Sequence, residues 1–486
     1  MRLLTVRAVN HTHSGLLRLK LEGFIFMASE LKKDSLGFVQ SLLIGIAGSA
    51  PTFSISATMS TLISAVGILA PASLLYSGIM MLGIVLAYLF LNAYNPNSGA
   101  SYAWVSEIFG LRLGFFAGWA LIVASAIFMV SATLPAASAT FLLFSPGLAD
   151  SQLAITLCAM AWLLVVTLVV VKGVGLTAKI QMVMTLCELI ILFVISALVV
   201  FRFGSQFAHQ LTWQAFSIYS FSSASFASGA VIALFFFWGW DVSLNLNEET
   251  KSARQAPGYG ALGAVVVIII FFTVFAAIVL MALNDQEIAQ SGTNVVFVVA
   301  DKVLPKPWNY LAVLALMLST IGTLETSILQ FTRTMFSKSR DGFLHMRWAK
   351  IHQKWGTPYV ATFLIAIIGI ALLMTSLASK DVADVMSKSI NVIGVQAAYY
   401  YGFAGFACAW HFRKKALASV PAFVFMMIWP LFSSLALWWA ACITALSFDA
   451  LTSVIAVGSI ALGFWPLMMG LRRKKIAALN GLVLRR

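Results

Sequence analysis

Charged side chains are scarce in this chain of 486 residues, of which 10% are charged and 61% are hydrophobic. An ordinary soluble domain carries about a quarter charged residues, so the composition excludes that class. Long apolar stretches recur instead, each sufficient to cross a hydrocarbon core of about 30 Å. We therefore predict an all-α polytopic membrane protein with twelve transmembrane helices. The predicted spans, numbered in chain order, are 38–66, 72–93, 113–143, 152–172, 177–201, 227–247, 258–283, 308–336, 359–377, 386–411, 420–443 and 450–470.

Cysteine and histidine are also rare, with four and six residues respectively. The cysteines lie inside predicted spans without paired spacing, which argues against a disulfide framework. No set of His and Cys residues has the spacing of a metal site, and the chain has no GxxxxGK[ST] loop for a nucleotide. We therefore expect no metal, no other cofactor and no enzymatic activity. Energy is expected from an ion gradient or from exchange rather than from ATP.

Acidic residues are outnumbered by basic ones, 17 to 31, which gives a net charge of +14. With the N-terminus placed inside, 26 of the 31 Lys and Arg residues fall in cytoplasmic loops and tails. This asymmetry follows the positive-inside rule and predicts a cytoplasmic (inner) membrane protein with both termini in the cytoplasm. Because the basic residues are spread over short loops, the expected partners are the lipid bilayer and a small molecule, not nucleic acid. The sequence does not decide between a monomer and a homo-oligomer.

Two predicted spans are interrupted near their middle, the first at Gly48 to Pro51 and the sixth at Trp238 to Asp241. Proline lacks the N–H that a helix needs, and glycine weakens a helix by roughly 1 kcal/mol. Backbone groups without partners are tolerated inside a membrane only where they line a cavity or bind something. Interrupted first and sixth spans therefore indicate a transporter built from inverted repeats. The alternative for Pro51 is an ordinary kink in a buried helix.

The spans divide the chain into six segments. The predicted segments are 1–36, a cytoplasmic N-terminal segment in which Met27 is a candidate start of translation; 37–202, a first five-helix repeat; 203–226, an outside loop; 227–412, a second five-helix repeat; 413–471, helices 11 and 12; and 472–486, a basic cytoplasmic tail. An apolar run at 295–299 in the longest outside loop predicts a short helix. That helix lies either over the entrance or on the surface of the bundle.

Three motifs carry a resemblance to a known family. Residues 95–104, continued by 109–110 and 114–119, resemble the loop after span 2 of the amino acid, polyamine and organocation (APC) superfamily. Residues 247–257 resemble the acidic-then-basic exit of its sixth span, and residues 332–342 with 356–358 resemble its signature after span 8. The three matches are in register over about 260 residues. The chain is therefore similar to bacterial amino acid permeases.

The resemblance implies a LeuT-type fold, in which two inverted five-helix repeats are followed by two extra helices and spans 1 and 6 are discontinuous. Relatives bind the carboxylate of an amino acid through N–H groups at the first break and its amino group through carbonyls at the second. Helix N-termini carry about +0.5 charge and C-termini about −0.5, which suits the two ends of a zwitterion. Carried onto this chain, the carboxylate site is Gly48, Ser49 and Ala50, and the amine site is Phe237, Trp238 and Gly239. Pro51 departs from the family pattern and removes one donor.

Three carboxylates fall inside predicted spans, at Glu188, Asp241 and Glu325. Each costs roughly 2.5–3.5 kcal/mol at a helix centre on insertion scales, so each is expected to have a partner. Several relatives carry a lysine where Glu188 stands, and that lysine takes the role of a sodium ion. A carboxyl group out of water can exchange a proton near neutral pH, so Glu188 is the candidate for proton coupling. The alternative is a protonated glutamate that joins two helices by a hydrogen bond.

The remaining candidates lie beside the two breaks. Asp241 either sets the charge of the pocket or caps the helix that follows it, since Asp is a favoured N-cap residue. Trp238 is predicted to be a wall of the pocket, and Trp240 a gate over the substrate. Span 8 is polar around Glu325, which is itself a candidate for coupling or gating. The resemblance makes the nearby hydroxyls candidate sodium ligands. Their alternative role is packing between helices. These hydroxyls belong to Thr323, Thr326 and Ser327.

Together with the resemblance, these features predict a secondary active transporter that moves amino acids by alternating access, through proton symport or exchange. A polyamine or cationic amine transporter of the same superfamily is the alternative, because three buried acids also suit additional amines. A transporter-like nutrient sensor, a channel or a membrane-embedded enzyme is a more remote alternative.

Overall fold

A computed structural model describes residues 30–149, 151–204, 206–377 and 382–483. The expectations for residues 1–26 and for Met27 lie outside the described residues. Within the described part the secondary structure is helical without β-strands, and one isolated β-bridge joins Leu36 to Thr250. The helices up to the second break are α1 (Phe38–Gly48), α2 (Pro51–Val66), α3 (Ala70–Tyr94), α4 (Ser101–Phe109), α5 (Leu111–Phe144), α6 (Gln152–Val171), α7 (Val174–Phe203) and α8 (Ser223–Phe236).

The helices after the second break complete the bundle. They are α9 (Val242–Asn245), α10 (Ala256–Ala282), α11 (Asp285–Ser291), α12 (Val295–Val303), α13 (Leu311–Arg340), α14 (Tyr359–Ser376), α15 (Val382–His411), α16 (Arg413–Ala416), α17 (Val420–Phe423), α18 (Trp429–Leu446), α19 (Ala450–Ala461) and α20 (Phe464–Val483). A π-helical turn, Val424–Ile428, connects α17 to α18. The last helix, α20, continues past residue 470 through basic residues of the predicted tail.

The first span is interrupted as predicted, between Gly48 and Pro51. Ala50 in the gap has a left-handed φ of 46°, which a residue with a Cβ rarely adopts. Pro51 occupies the first position of α2, where the absence of an N–H costs nothing. The surrounding packing must therefore hold the strained residue in place.

The sixth span is interrupted in the same way. α8 ends at Phe236, and the short helix α9 begins at Val242. Gly239 in the gap has a φ of 97°, a conformation that glycine adopts without strain. Both discontinuities that the sequence predicts are therefore present.

Nine helical stretches of the described chain are long and apolar enough to cross a membrane. They are Phe38–Tyr94, Leu111–Phe144, Gln152–Val171, Val174–Phe203, Ala256–Ala282, Trp308–Arg340, Tyr359–Ser376, Val420–Leu446 and Ala450–Lys475. The first of them contains 57 residues and joins two predicted spans, whereas α8 is apolar but shorter. The protein is thus an all-helical, multi-pass membrane protein.

The interrupted helices lie at the centre of the bundle. α1 packs against α7, α10 and α13, and α2 packs against α8 and α13. The predicted outer helix is confirmed as α12, which buries Val295, Val296 and Val299. It packs on α2 and α7, so it lies against the half of span 1 that follows the break.

Candidate functional site

The two breaks contact each other through glycine. A Cβ atom on Gly48 would collide with the carbonyl oxygen of Gly239, and a Cβ atom on Gly239 would collide with that of Gly48. This close approach of two backbones is possible because neither residue has a side chain. The gap between α1 and α2 and the gap between α8 and α9 therefore form one site.

The backbone N–H groups at the first break are not free. Ser49 donates to the carbonyl of Ile46 and Ala50 to that of Ala47, both at 3.1 Å. The sequence prediction left these N–H groups open for a carboxylate. The structure corrects this for Ser49 and Ala50, because the chain closes a tight turn after α1 before α2 begins.

The N-terminus of α2 is occupied by side chains of neighbouring helices. The Thr52 N–H donates to Glu188 Oε1 of α7 at 2.7 Å, and the Phe53 N–H donates to Ser319 Oγ of α13 at 3.2 Å. Glu188 is only 2% exposed. Its partner is therefore the positive end of a helix, which suits a carboxylate.

The second break presents carbonyl oxygens. No hydrogen bond from the described residues reaches the carbonyl oxygens of Phe237 and Trp238, whereas that of Gly239 accepts the Val242 N–H at 3.3 Å. The Phe237 ring packs against Phe272 of α10, so Phe237 offers its backbone to the site. Open carbonyls at the end of a helix carry partial negative charge and suit an amine.

The Asp241 carboxylate is held by side chains from two other helices. Tyr401 of α15 donates to its Oδ1 and Gln330 of α13 donates to its Oδ2, both at 2.7 Å. Asp241 precedes α9, but its side chain caps no N–H of that helix. The capping interpretation is therefore wrong, and the carboxylate instead links the second break to α13 and α15.

Aromatic rings enclose the second break. Trp240 stacks on Tyr401 with ring centroids 5.4 Å apart and meets Tyr88 edge-on at 5.2 Å. Trp238 donates its indole N–H to the Tyr400 hydroxyl at 2.9 Å. Both tryptophans are buried, so the structure shows the site closed to solvent.

The polar part of α13 lies beside the first break. The Thr323 hydroxyl donates to the carbonyl of Ala47 at 2.6 Å. The Thr326 hydroxyl donates to a carbonyl of its own helix at 2.8 Å, and Ser327 is buried. The Thr323 hydroxyl therefore bonds to span 1, whereas the Thr326 hydroxyl bonds within α13.

Glu325 is buried between Thr323 and Thr326 on α13, but it differs from the other two carboxylates. Its Oε2 accepts no hydrogen bond from any described residue. The expectation of a partner therefore holds for Glu188 and Asp241 and fails for this oxygen. A buried carboxylate oxygen without a donor is costly unless the group carries a proton or binds another molecule.

Several residues of the site escape the sequence prediction. They are Ser319, Gln330, Tyr400 and Tyr401. Three consecutive tyrosines in a predicted span are a usable signal, because a buried phenol usually needs a hydrogen-bond partner. Which tyrosines face the break depends on the rotation of α15, and the sequence does not set this rotation.

The three sequence motifs meet at the other end of span 6. Arg333 and Glu249 form a bidentate ion pair with N–O distances of 2.8 and 2.9 Å, and both side chains are at most 1% exposed. The carbonyl of Glu249 also accepts the N–H groups of Ser35 and Leu36, which precede α1. The pair thus joins α13, the exit of span 6 and the start of span 1.

A second ion pair lies nearer to solvent. Arg340 binds both carboxylate oxygens of Glu248, at 2.8 and 2.9 Å, and the Ser98 N–H donates to Glu248 at 2.9 Å. Burial acts to raise the pKa of Glu248, but the hydrogen bonds and charge of Arg340, with the Ser98 N–H, lower it below its ordinary value. We call Ser98, Glu248, Glu249, Arg333 and Arg340 the motif cluster.

Interrupted helices that touch at mid-span in an all-helical membrane bundle define a membrane transporter. Residues 36–470 match the family model described as amino acid permease. The chain therefore belongs to the amino acid permease family.

Curated relatives of the chain are amino acid transporters as well. The serine/threonine exchanger SteT of Bacillus subtilis is 24% identical over 82% of this chain and 88% of its own length. Asc-type amino acid transporter 1 of Homo sapiens is 26% identical over 58% of this chain and 54% of its own length. The branched-chain amino acid permease BcaP of Bacillus subtilis is 26% identical over 37% of each chain. The prediction of an amino acid permease of the APC superfamily is confirmed, and the family and these relatives are transporters rather than enzymes.

Proposed function

We propose that the amino acid binds between the two breaks and crosses the membrane by alternating access. The contact between Gly48 and Gly239 carries the proposal, because it brings the N-terminus of α2 and the open carbonyls of span 6 to one place. The substrate carboxylate lies at the start of α2, at the Thr52 N–H. Its amine binds the carbonyl oxygens of Phe237 and Trp238, whose helix end carries negative partial charge.

A LeuT-type bundle of twelve spans suits this site. As one straight helix, the 57 residues of Phe38–Tyr94 would be about 85 Å long, nearly three times the hydrocarbon core, so they supply two spans. α8 with α9 supplies the sixth span and α15 the tenth, which brings the nine stretches to twelve. The excess of Lys and Arg in alternate loops supports both termini in the cytoplasm and a location in the cytoplasmic membrane.

The substrate is a small neutral amino acid, with serine and threonine as first choices. Both oxygens of Asp241 are already bound, by Tyr401 and Gln330, so they are poorly placed to hold a second substrate amine. The names of the serine/threonine exchanger and the branched-chain permease also refer to neutral amino acids. A cationic amine is the second candidate, because Glu325 Oε2 has no partner among the described residues.

Transport is coupled to a proton that acts at Glu188, or it runs as exchange. Glu188 holds the N–H at the start of α2, and a neutral carboxyl accepts such a hydrogen bond more weakly than a carboxylate. Protonation of Glu188 would therefore loosen α2 from α7. Sodium is the second candidate ion, and its binding would replace the hydrogen bond from Thr323 to Ala47.

Transport by the purified protein in proteoliposomes tests the proposal. Vesicles loaded with unlabelled serine should accumulate labelled serine by counterflow, and excess lysine or polyamine should not compete. An inward proton gradient should raise net uptake several-fold, whereas a sodium gradient should not. The Glu188→Gln variant should keep counterflow and lose the response to the proton gradient, and Thr185→Val, one turn away on α7, serves as the control.

Two results would count against the proposal. Absence of counterflow with every amino acid tested would contradict the transport function. Proton-driven uptake that persists in Glu188→Gln would contradict coupling at Glu188.

A further inference from the structure

The first turn of α2 has no N–H left for a substrate. Pro51 has none, the Ala50 N–H bonds to the carbonyl of Ala47, and the Phe53 N–H bonds to Ser319. The Thr52 N–H is taken by Glu188 at 2.7 Å. Of the four positions at a helix N-terminus whose N–H groups ordinarily lack a partner, Pro51 thus has no donor and the other three donate within the chain.

Glu188 binds this helix end as a free carboxylate would. Its side chain is buried, and none of the ion pairs of the described residues involves it. A helix N-terminus attracts anions through its N–H groups and its dipole. The carboxylate of an amino acid and that of Glu188 therefore use the same N–H group and cannot both have it.

We propose that Glu188 is a tethered competitor of the substrate carboxylate. It holds the α2 N-terminus when the site is empty and must leave the Thr52 N–H when an amino acid binds. This inference rests on the proposed function, because it takes the substrate carboxylate to lie at the start of α2. Glu188 thus lowers the affinity for any ligand with a carboxylate and leaves that for the matching amine unchanged, since the amine has nothing to displace.

Binding of serine and ethanolamine to the purified full-length protein, measured by calorimetry, tests the inference. Ethanolamine matches serine without the carboxylate. In Glu188→Ala the dissociation constant for serine should fall about tenfold, while that for ethanolamine should change by less than about twofold. Glu188→Gln should show a smaller fall, because a neutral amide oxygen accepts the Thr52 N–H more weakly than a carboxylate does. Thr185→Val should bind both ligands like the wild type.

Glu188→Gln keeps the size of the side chain. If Glu188→Ala does not fold, the binding measurements on Glu188→Gln test the inference. The inference would be overturned, and the proposed function would stand, if the wild type shows normal counterflow but folded Glu188→Gln and Glu188→Ala bind serine no more tightly than the wild type does. An equal gain for serine and ethanolamine would overturn it as well, because the effect would then not depend on the carboxylate. Absence of serine binding and counterflow in the wild type would instead overturn the proposed function.

Discussion

At the scale of single residues, the carboxylates were the most informative part of the sequence. Burying Glu188 and Asp241 is costly, and this cost alone predicts that each has a partner. Their partners were beyond prediction, because the rotation of one helix against another decides which side chains meet. The backbone of α2 holds Glu188, and no residue type in the sequence marks a backbone N–H as its partner.

The hydrogen bond from Tyr401 to Asp241 gives a prediction at this scale. Tyr401→Phe removes one donor from a buried carboxylate, which should lower the free energy of unfolding by about 1–3 kcal/mol. Tyr399→Phe is the matched control on the same helix, since Tyr399 is not fully buried and its ring stacks on Trp438. Thermal unfolding in detergent should show a lower midpoint for Tyr401→Phe alone. Equal midpoints for the two variants would show that the bond is not stabilising.

At the scale of elements, α13 joins the parts of the molecule that the family motifs mark. The motifs around 95–104, 247–257 and 332–342 were recognisable in the sequence as separate segments. Their convergence in the motif cluster was not, because it depends on α13 and the exit of span 6 lying side by side. The buried pair of Arg333 and Glu249 accounts for the acidic and basic residues at these positions.

Breaking this pair should open the end of the transporter that carries the motif cluster. Glu249→Ala leaves Arg333 buried without a counter-charge, which costs roughly 3–5 kcal/mol. Asn245 is fully buried. In a background without the natural cysteines, the Asn245→Cys side chain should react faster with a thiol reagent when Glu249→Ala is also present. Lys388→Gln breaks a more exposed pair with Asp384 and should leave the reaction rate unchanged. An unchanged rate in Glu249→Ala would show that the pair does not close this end.

At the scale of the whole molecule, composition was sufficient to predict a multi-pass helical protein, and the Gly and Pro residues inside two apolar segments were sufficient to predict two interrupted spans. The ends of the helices were less predictable, because hydropathy does not mark where a helix stops. α1, α2 and α3 follow one another within the apolar stretch Phe38–Tyr94, which covers two predicted spans, and α20 continues to Val483 beyond the apolar segment. The contact between the two breaks was predictable only from the order of the spans in an inverted-repeat transporter.

Counterflow of labelled serine by glycine variants tests the central claim, that substrate is held where the two breaks touch. In Gly48→Ala and Gly239→Ala the new methyl group collides with the opposite carbonyl, whereas Gly394→Ala on α15 places its methyl group in open space. Counterflow should become undetectable in the first two variants and stay at the wild-type rate in the third, with all three proteins monodisperse in detergent. Wild-type counterflow by Gly239→Ala would contradict the claim.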